Sequence, residues 1–368
     1  MGGSKKTYTI NLKYQITMTL TPKKFQTALL NWFDHHGRKN LPWQQDKTPY
    51  RVWISEIMLQ QTQVSTVIPY FQKFMLHFNN VQQLANATED QVLHLWTGLG
   101  YYSRARNLHR AAKMIQQNFH GKFPDNYEDL ISLPGIGRST AGAILSIAFQ
   151  QKAAILDGNV KRVLTRLGGI TEWPGEKKVT EQLWELAEKL TPAQRTAEYT
   201  QAMMDMGATI CVRSKPHCEK CPFTNHCRAH QLGIEKKLPA AKPKKTLPVR
   251  QKTFLILQHD HHVLLQKRPA SGIWGGLWST PELMDFAADE LVEQFCQQQQ
   301  LTIKNFYFGE AFRHTFSHFH LDILPVFITL KSKPRKIMDS DRQIWYNLQQ
   351  AQIIGLPQPV KKLLLERT

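Results

Sequence analysis

The stretch Leu133-Pro134-Gly135-Ile136-Gly137-Arg138-Ser139-Thr140-Ala141-Gly142 decides how the first half of the chain is read. Two glycines one residue apart permit a tight hairpin whose backbone N–H groups turn outward. The run that follows has helical periodicity, so its first turn adds free N–H groups and the positive end of the helix dipole. A hairpin that opens a helix in this way is a ready seat for a nucleic-acid phosphate. Gly135, Gly137 and Arg138 are the candidates for that contact, with Lys161 as a further basic group downstream.

Working outward, the surroundings of this hairpin are helical. The spacing of apolar residues predicts helices over Pro22–His36, Pro49–Thr62, Thr66–His77, Thr88–Leu95, Ser103–Asn118, Tyr127–Leu133, Arg138–Phe149 and Gly158–Leu167. Thr21-Pro22 and Thr48-Pro49 read as N-caps followed by proline at the first helical position. Beyond about residue 231 lysines interleave with Pro239, Pro243 and Pro248, the composition of an extended linker. After it come β-rich runs: Phe254–Gln258 and Val263–Lys267 as a hairpin, then Phe306–Gly309 and His320–Leu330. Helices are expected over Glu290–Gln299 and Pro359–Arg367. The fold class expected is therefore multidomain α and α+β. An extension covers residues 1–17, an all-helical domain 18–230, a basic Pro-rich linker 231–250 and an α+β domain 251–368.

Charge narrows the partner. Lys and Arg number 47 against 29 Asp and Glu in 368 residues, a net charge of +18, which favours a polyanion. No run of about 18 apolar residues exists, and the basic N-terminus lacks the apolar core of a secretory signal, so a cytoplasmic, membrane-free protein is expected.

Against that basic background two acids stand alone. Glu56 is the only acidic residue between Asp46 and Glu89 and sits in Val52-Trp53-Ile54-Ser55-Glu56-Ile57-Met58-Leu59. A carboxyl in such apolar surroundings is disfavoured as an anion and can carry a proton near neutral pH, as a general acid must. Asp157, in Asp157-Gly158-Asn159-Val160-Lys161-Arg162, is the only acid between Asp129 and Glu172. It reads as an N-cap that can also face a cavity. Cleavage of an N-glycosidic bond needs this pair: one acid for the leaving group and one anion for an oxocarbenium-like sugar.

Four cysteines follow the pattern Cys211-x6-Cys218-x2-Cys221-x5-Cys227. Four thiolates so close can bind zinc or an iron–sulfur cluster. Zinc ribbons usually carry two Cys-x2-Cys pairs and here there is one, which favours a four-iron cluster. Cys296 stands far off and reads as a helix-core residue.

These features together resemble the endonuclease III superfamily of helix–hairpin–helix glycosylases, and within it the adenine DNA glycosylase (MutY) family. The likeness rests on Leu41-Pro42-Trp43, Ser55-Glu56-Ile57-Met58-Leu59-Gln60-Gln61-Thr62, Gly98-Leu99-Gly100-Tyr101-Tyr102, the hairpin, Leu156–Arg162, Gln201-Ala202-Met203-Met204-Asp205 and the cysteines. The resemblance implies that Glu56 protonates adenine N7, that Asp157 supports the oxocarbenium-like intermediate and that Asn159 assists. It places Trp43, Leu59, Gln201 and Ser139 near the adenine, and Gln61, Thr62, Leu99 and Tyr101 around the gap and its stack. The adenine must be flipped out of the duplex, which a mispair makes easier. Bifunctional relatives carry a lysine where this chain has Ser139, which cannot form a Schiff base. Hydrolytic, monofunctional excision is therefore expected.

Ser271-Gly272-Ile273-Trp274-Gly275-Gly276-Leu277-Trp278 resembles the start of a Nudix-type (MutT-like) fold, without its paired-glutamate catalytic box. Phe316-Ser317-His318 matches the MutY family's 8-oxoguanine-reading loop. The implied substrate is double-stranded DNA bearing adenine opposite 8-oxoguanine or guanine. A [4Fe-4S] cluster is the implied cofactor, and a monomer with possible repair or clamp partners the implied state. A bifunctional glycosylase–lyase for oxidised pyrimidines and a non-catalytic DNA-binding scaffold are the competing readings. Ser139 speaks against the first, and the retained Glu56 and Asp157 against the second.

Overall fold

The computed structural model describes residues 19–242, 246–332, 342–349 and 353–365. The expected extension over 1–17 and the last residues of the expected C-terminal helix lie outside them. Twelve α-helices precede the sheet among the described residues: α1 (Pro22–His36), α2 (Pro49–Leu59), α3 (Val64–His77), α4 (Val81–Asn86), α5 (Glu89–Trp96), α6 (Ser103–Asn118), α7 (Tyr127–Ser132), α8 (Arg138–Ala148), α9 (Gly158–Gly168), α10 (Lys177–Leu190), α11 (Thr196–Asp205) and α12 (Arg228–Gln231). Then come β1 (Val249–His259), β2 (His262–Lys267), β3 (Trp278–Ser279), β4 (Glu282–Met284), α13 (Asp289–Gln298), β5 (Ile303–Phe308), β6 (Phe312–Thr315), β7 (His320–Leu330), β8 (Gln343–Asn347) and α14 (Gln358–Leu365). None of the helices is long and apolar enough to cross a membrane.

Local chemistry explains the helix starts. Thr21 accepts the Lys24 N–H at 3.4 Å and Thr48 that of Arg51 at 3.3 Å, the two expected N-caps. Asp157 caps α9 by accepting the Val160 N–H at 2.8 Å. The α2 helix stops at Leu59, three residues before the sequence expectation, because Gln61 takes a left-handed φ of 58°. The expected linker ends two residues early: Val249 and Arg250 already pair with His320 and Leu321 as the start of β1. The first three residues of the strand, Val249, Arg250 and Gln251, are all exposed, which hides it from a composition argument. Eight further elements (α4, α10, α11, α12, β3, β4, β6 and β8) go beyond the individual sequence expectations.

Compactness divides the chain into two units that do not follow chain order. One comprises residues 1–56, 124–132 and 136–243, the other 57–123, 133–135 and 244–368. In the first, Phe25, Leu29, Trp32 and Phe33 of α1 pack with Val160, Leu164, Leu183, Tyr199 and Met203. Phe223, from the cysteine loop, is fully buried in this core and stacks on Phe25 at 4.5 Å between ring centres. Burying a phenylalanine contributes about 1.5–3 kcal/mol, enough to tie the loop down.

The second unit joins helices α3–α6 to the sheet. The sheet order is β3-β2-β1-β7-β5, with β4 on β1, β6 on β7 and β8 on β2; β1 and β7 run parallel and the other pairs antiparallel. The continuous apolar run Phe254–Leu257 suits a central strand covered on both faces. Cys296 of α13 is buried among Leu255, Val292 and Ile328, the helix-core role expected of it. Asp90 of α5 accepts from Lys267 Nζ at 2.9 Å and Trp278 Nε1 at 3.2 Å, and the Tyr102 hydroxyl donates to the Leu356 carbonyl at 3.2 Å.

Candidate active site

The two lone acids meet. Glu56 of α2 and Asp157 at the start of α9 lie in the same unit; each residue is partly exposed, while its carboxyl is turned away from solvent. Loss of solvent, and then the charge of Asp157, push Glu56 up to about 8. Burial also raises Asp157, but the Val160 and Asn159 N–H groups and the Asn159 side chain oppose it. Asn159 Nδ2 donates to Asp157 Oδ2 at 3.1 Å. The donors therefore assign the charge to Asp157 and the proton to Glu56.

Behind Asp157 stands a relay of arginines that the sequence reading did not single out. Arg162 Nη2 donates to Asn159 Oδ1 at 2.9 Å and to the Gly207 carbonyl at 2.7 Å, while its Nε donates to the Cys211 carbonyl at 2.7 Å. Gly207 is required here: a Cβ on it would stand 2.5 Å from the Asn159 Cβ. Arg166, 1% exposed, donates to the Cys211, Val212, Arg213 and Leu238 carbonyls and reaches Cys211 Sγ at 3.3 Å. Arg162 and Arg166 fall one turn apart on α9, a spacing visible in the sequence; their acceptors, about 45 residues on, are not.

All four cysteines are free thiols and line one small cavity with Val163, Arg166, Met206 and Phe223. Burial raises Cys221 to about 12, so a bare thiol there stays protonated. Four sulfurs converging beside a buried guanidinium form a donor set suited to a bound cationic group.

The residues expected near the adenine are held by a second buried hub. Asp205, 0% exposed, accepts from the Arg38 N–H at 2.7 Å, Arg38 Nη2 at 2.6 Å and Gln201 Nε2 at 2.8 Å. Gln44 Nε2 donates to the Arg38 carbonyl at 3.0 Å and Arg51 Nη2 to that of Pro42 at 2.8 Å, so the turn carrying Trp43 is fixed at both ends. Trp43 itself is buried. Ser139 Oγ accepts the Leu156 N–H at 3.1 Å and thereby braces the segment that leads into Asp157. Leu59 belongs to the other unit, one turn past Glu56 on α2.

The nucleic-acid candidates divide by exposure. Gly135 takes a φ of 83°, which favours glycine, and closes the hairpin before α8. Arg138 pairs with Glu188 and stacks on Trp184 at 3.9 Å. Lys161 is half-buried on α9, and burial lowers its pKa. Gln61 and Tyr101 are exposed and Thr62 partly so, whereas Leu99 is 6% exposed and packs beneath its loop instead of projecting from it.

In the second unit Phe316, Ser317 and His318 form the turn between β6 and β7, closed by Phe316 N–H to the Phe319 carbonyl at 2.9 Å. Phe316 stacks on Phe319 at 4.6 Å, leaving Ser317 and His318 exposed. The turn borders a cavity of about 830 Å³ whose other walls include Tyr101, Arg106, Arg250, Arg268 and Trp274.

Comparison with known proteins identifies the family. Residues 54–189 match the HhH-GPD superfamily of base excision DNA repair proteins, and residues 252–366 match the NUDIX domain. An adenine DNA glycosylase of Buchnera aphidicola subsp. Acyrthosiphon pisum is 44% identical over 345 residues, covering 94% of this chain and 98% of that protein. The human adenine DNA glycosylase is 43% identical over 226 residues, 59% of this chain and 41% of its own length. Among solved structures, a thermostable thymine-DNA glycosylase aligns with a TM-score of 0.51 at 28% identity, covering 57% of this chain and 97% of its own. An endonuclease III in a non-covalent DNA complex aligns at 0.50 and 22%, covering 59% and 100%, which shows the shared fold. With its proton-bearing Glu56 set against Asp157 and with near full-length relatives of one activity, the chain belongs to the adenine DNA glycosylase family of HhH-GPD base excision repair enzymes.

Proposed function

We propose that this chain hydrolyses the N-glycosidic bond of adenine paired with 8-oxoguanine or guanine in duplex DNA, as a monofunctional glycosylase. The observation that carries the reading is the carboxyl pair: a Glu56 raised to about 8 beside an Asp157 whose anion is hydrogen-bonded. Glu56 delivers its proton to N7 of the flipped adenine, which turns the base into a neutral leaving group. Asp157 keeps its charge beneath the sugar while the bond breaks and water adds. Trp43 and Gln201 line the adenine, and the hairpin glycines with Arg138 and Lys161 take the backbone phosphates. Ser139, engaged by Leu156, offers no amine, so the strand is left intact.

The four cysteines would hold a [4Fe-4S] cluster, whose contribution is to fix the 211–227 loop. Support comes from their convergence on one cavity. Ser317 and His318 read the partner base of the mispair. The protein acts as a monomer on DNA in the cytoplasm.

The test is purified protein on duplexes containing A:8-oxoG, A:G or thymine glycol, scored for free base and for strand cuts before and after alkali. Adenine release with cuts only after alkali is expected. Preferential loss of thymine glycol with direct strand cleavage would replace this reading by the lyase one. Ser317→Ala should bring the A:8-oxoG rate toward the A:G rate, and an unchanged ratio would remove the 316–318 loop from lesion reading.

A further inference from the structure

Arg104 lies in the first turn of α6, is 8% exposed, and has no role in the chemistry above. Its Nη1 donates to the carbonyls of Ile57 at 2.8 Å, Met58 at 2.9 Å and Gln60 at 2.7 Å. Its Nη2 donates to Thr62 Oγ1 at 3.3 Å, the Leu99 carbonyl at 3.4 Å and the Gly100 carbonyl at 3.1 Å. The guanidinium also lies against the rings of Trp96 at 5.4 Å and Tyr101 at 5.5 Å. A buried cation is usually met by a carboxylate; this one is met by backbone carbonyls and a hydroxyl.

The acceptors belong to the last turn of α2 with the loop after it and to the loop before α6, and each loop carries a non-glycine residue in the left-handed region. These are Gln61 at φ 58° and Tyr101 at φ 49°, both exposed. Such a conformation costs about 1–2 kcal/mol for a residue with a side chain. Arg104 holds the residues on either side of Gln61 and the two that precede Tyr101. The Gly100 carbonyl is secured a second time by Trp96 Nε1 at 3.1 Å. The free carbonyls at the end of α2 also favour a cation there. Only a planar fork reaches both loops at once; an ammonium offers its three donors from a single point.

We propose that Arg104 is a positioning residue that fixes the spacing of Gln61 and Tyr101, so that the two side chains enter the duplex as one unit beside the displaced base. The inference rests on the reading that Gln61 and Tyr101 contact the opened duplex. Arg104 touches no DNA and acts through them.

The test is a double-mutant cycle on single-turnover adenine excision from an A:8-oxoG duplex, using Arg104→Lys, Tyr101→Ala and their combination, with duplex affinity measured alongside. Each single variant is expected to slow excision about tenfold, and the double variant to be no slower than the slower single, because both remove one shared action. Multiplying effects, near a hundredfold in the double, would overturn the proposal. So would excision by Arg104→Lys at the wild-type rate. If Tyr101→Ala and Gln61→Ala both excise normally, it is the duplex-entry reading that fails. Arg104→Gln, checked by circular dichroism and melting, repeats the cycle where the lysine variant does not fold. Failure of both to fold would make Arg104 a folding residue and sink the positioning role.

Discussion

Glu56 and Asp157 compete for one anionic site, and the donors around Asp157 decide the competition. On the proposed mechanism excision needs Glu56 protonated and should fall as pH rises through about 8, which a kcat profile against pH will show. Glu56→Gln should lower kcat by at least about 10²-fold while duplex binding persists. The same shift has a cost in stability. Between the ordinary 4.5 and about 8 the folded chain holds a proton that the unfolded chain has released, so stability falls as pH rises through that window. Glu56→Gln removes the penalty and should raise Tm by several degrees at pH 8, with little difference near pH 4. A variant that melts lower at both pH values would contradict the buried-acid reading. The isolation of both acids was legible in the sequence because their neighbours are apolar or basic. Arg162 and Asp205 were not, since what matters about each is an acceptor or donor far along the chain.

At the scale of elements, α9 carries the proposed site because three things meet at its N-terminus: the Asp157 cap, Asn159 and the backbone of Gly207. Gly207→Ala should push Asn159 aside and slow excision by about tenfold or more, in proportion to the misplacement of Asp157, while the far-ultraviolet spectrum stays native. Normal kinetics in that variant would mean that the helix start has more room than the 2.5 Å approach allows. Phe223→Ala should cost about 3–5 kcal/mol in denaturant unfolding and loosen the cysteine loop, read as faster loss of any bound cluster absorbance. The bounds of α1, α6 and β7 follow directly from apolar periodicity and capping residues. The early end of α2 does not, because Arg104, more than forty residues on, takes the carbonyls that a longer helix would have used internally.

For the whole molecule, the net charge of +18 sets how the protein meets DNA before any base is read. Affinity for an undamaged duplex should drop by on the order of 10³ between about 50 and 200 mM salt, and a flat salt response would deny the phosphate-led encounter. Chain order suggests a helical half and a sheet half, yet helices α3–α6 share a compact unit with the sheet. Sequence cannot show that, because the deciding contacts join residues near 90–106 to residues near 267–356. Those contacts have a practical consequence for a chain cut in the 236–242 stretch. Asp90 grips Lys267 and Trp278, Arg106 reaches the Gly275 carbonyl, and Gly355 packs against Leu93. The two fragments should therefore behave as complementing halves, eluting together from a sizing column after proteolysis, whereas the N-terminal fragment made alone should aggregate through its uncovered α5.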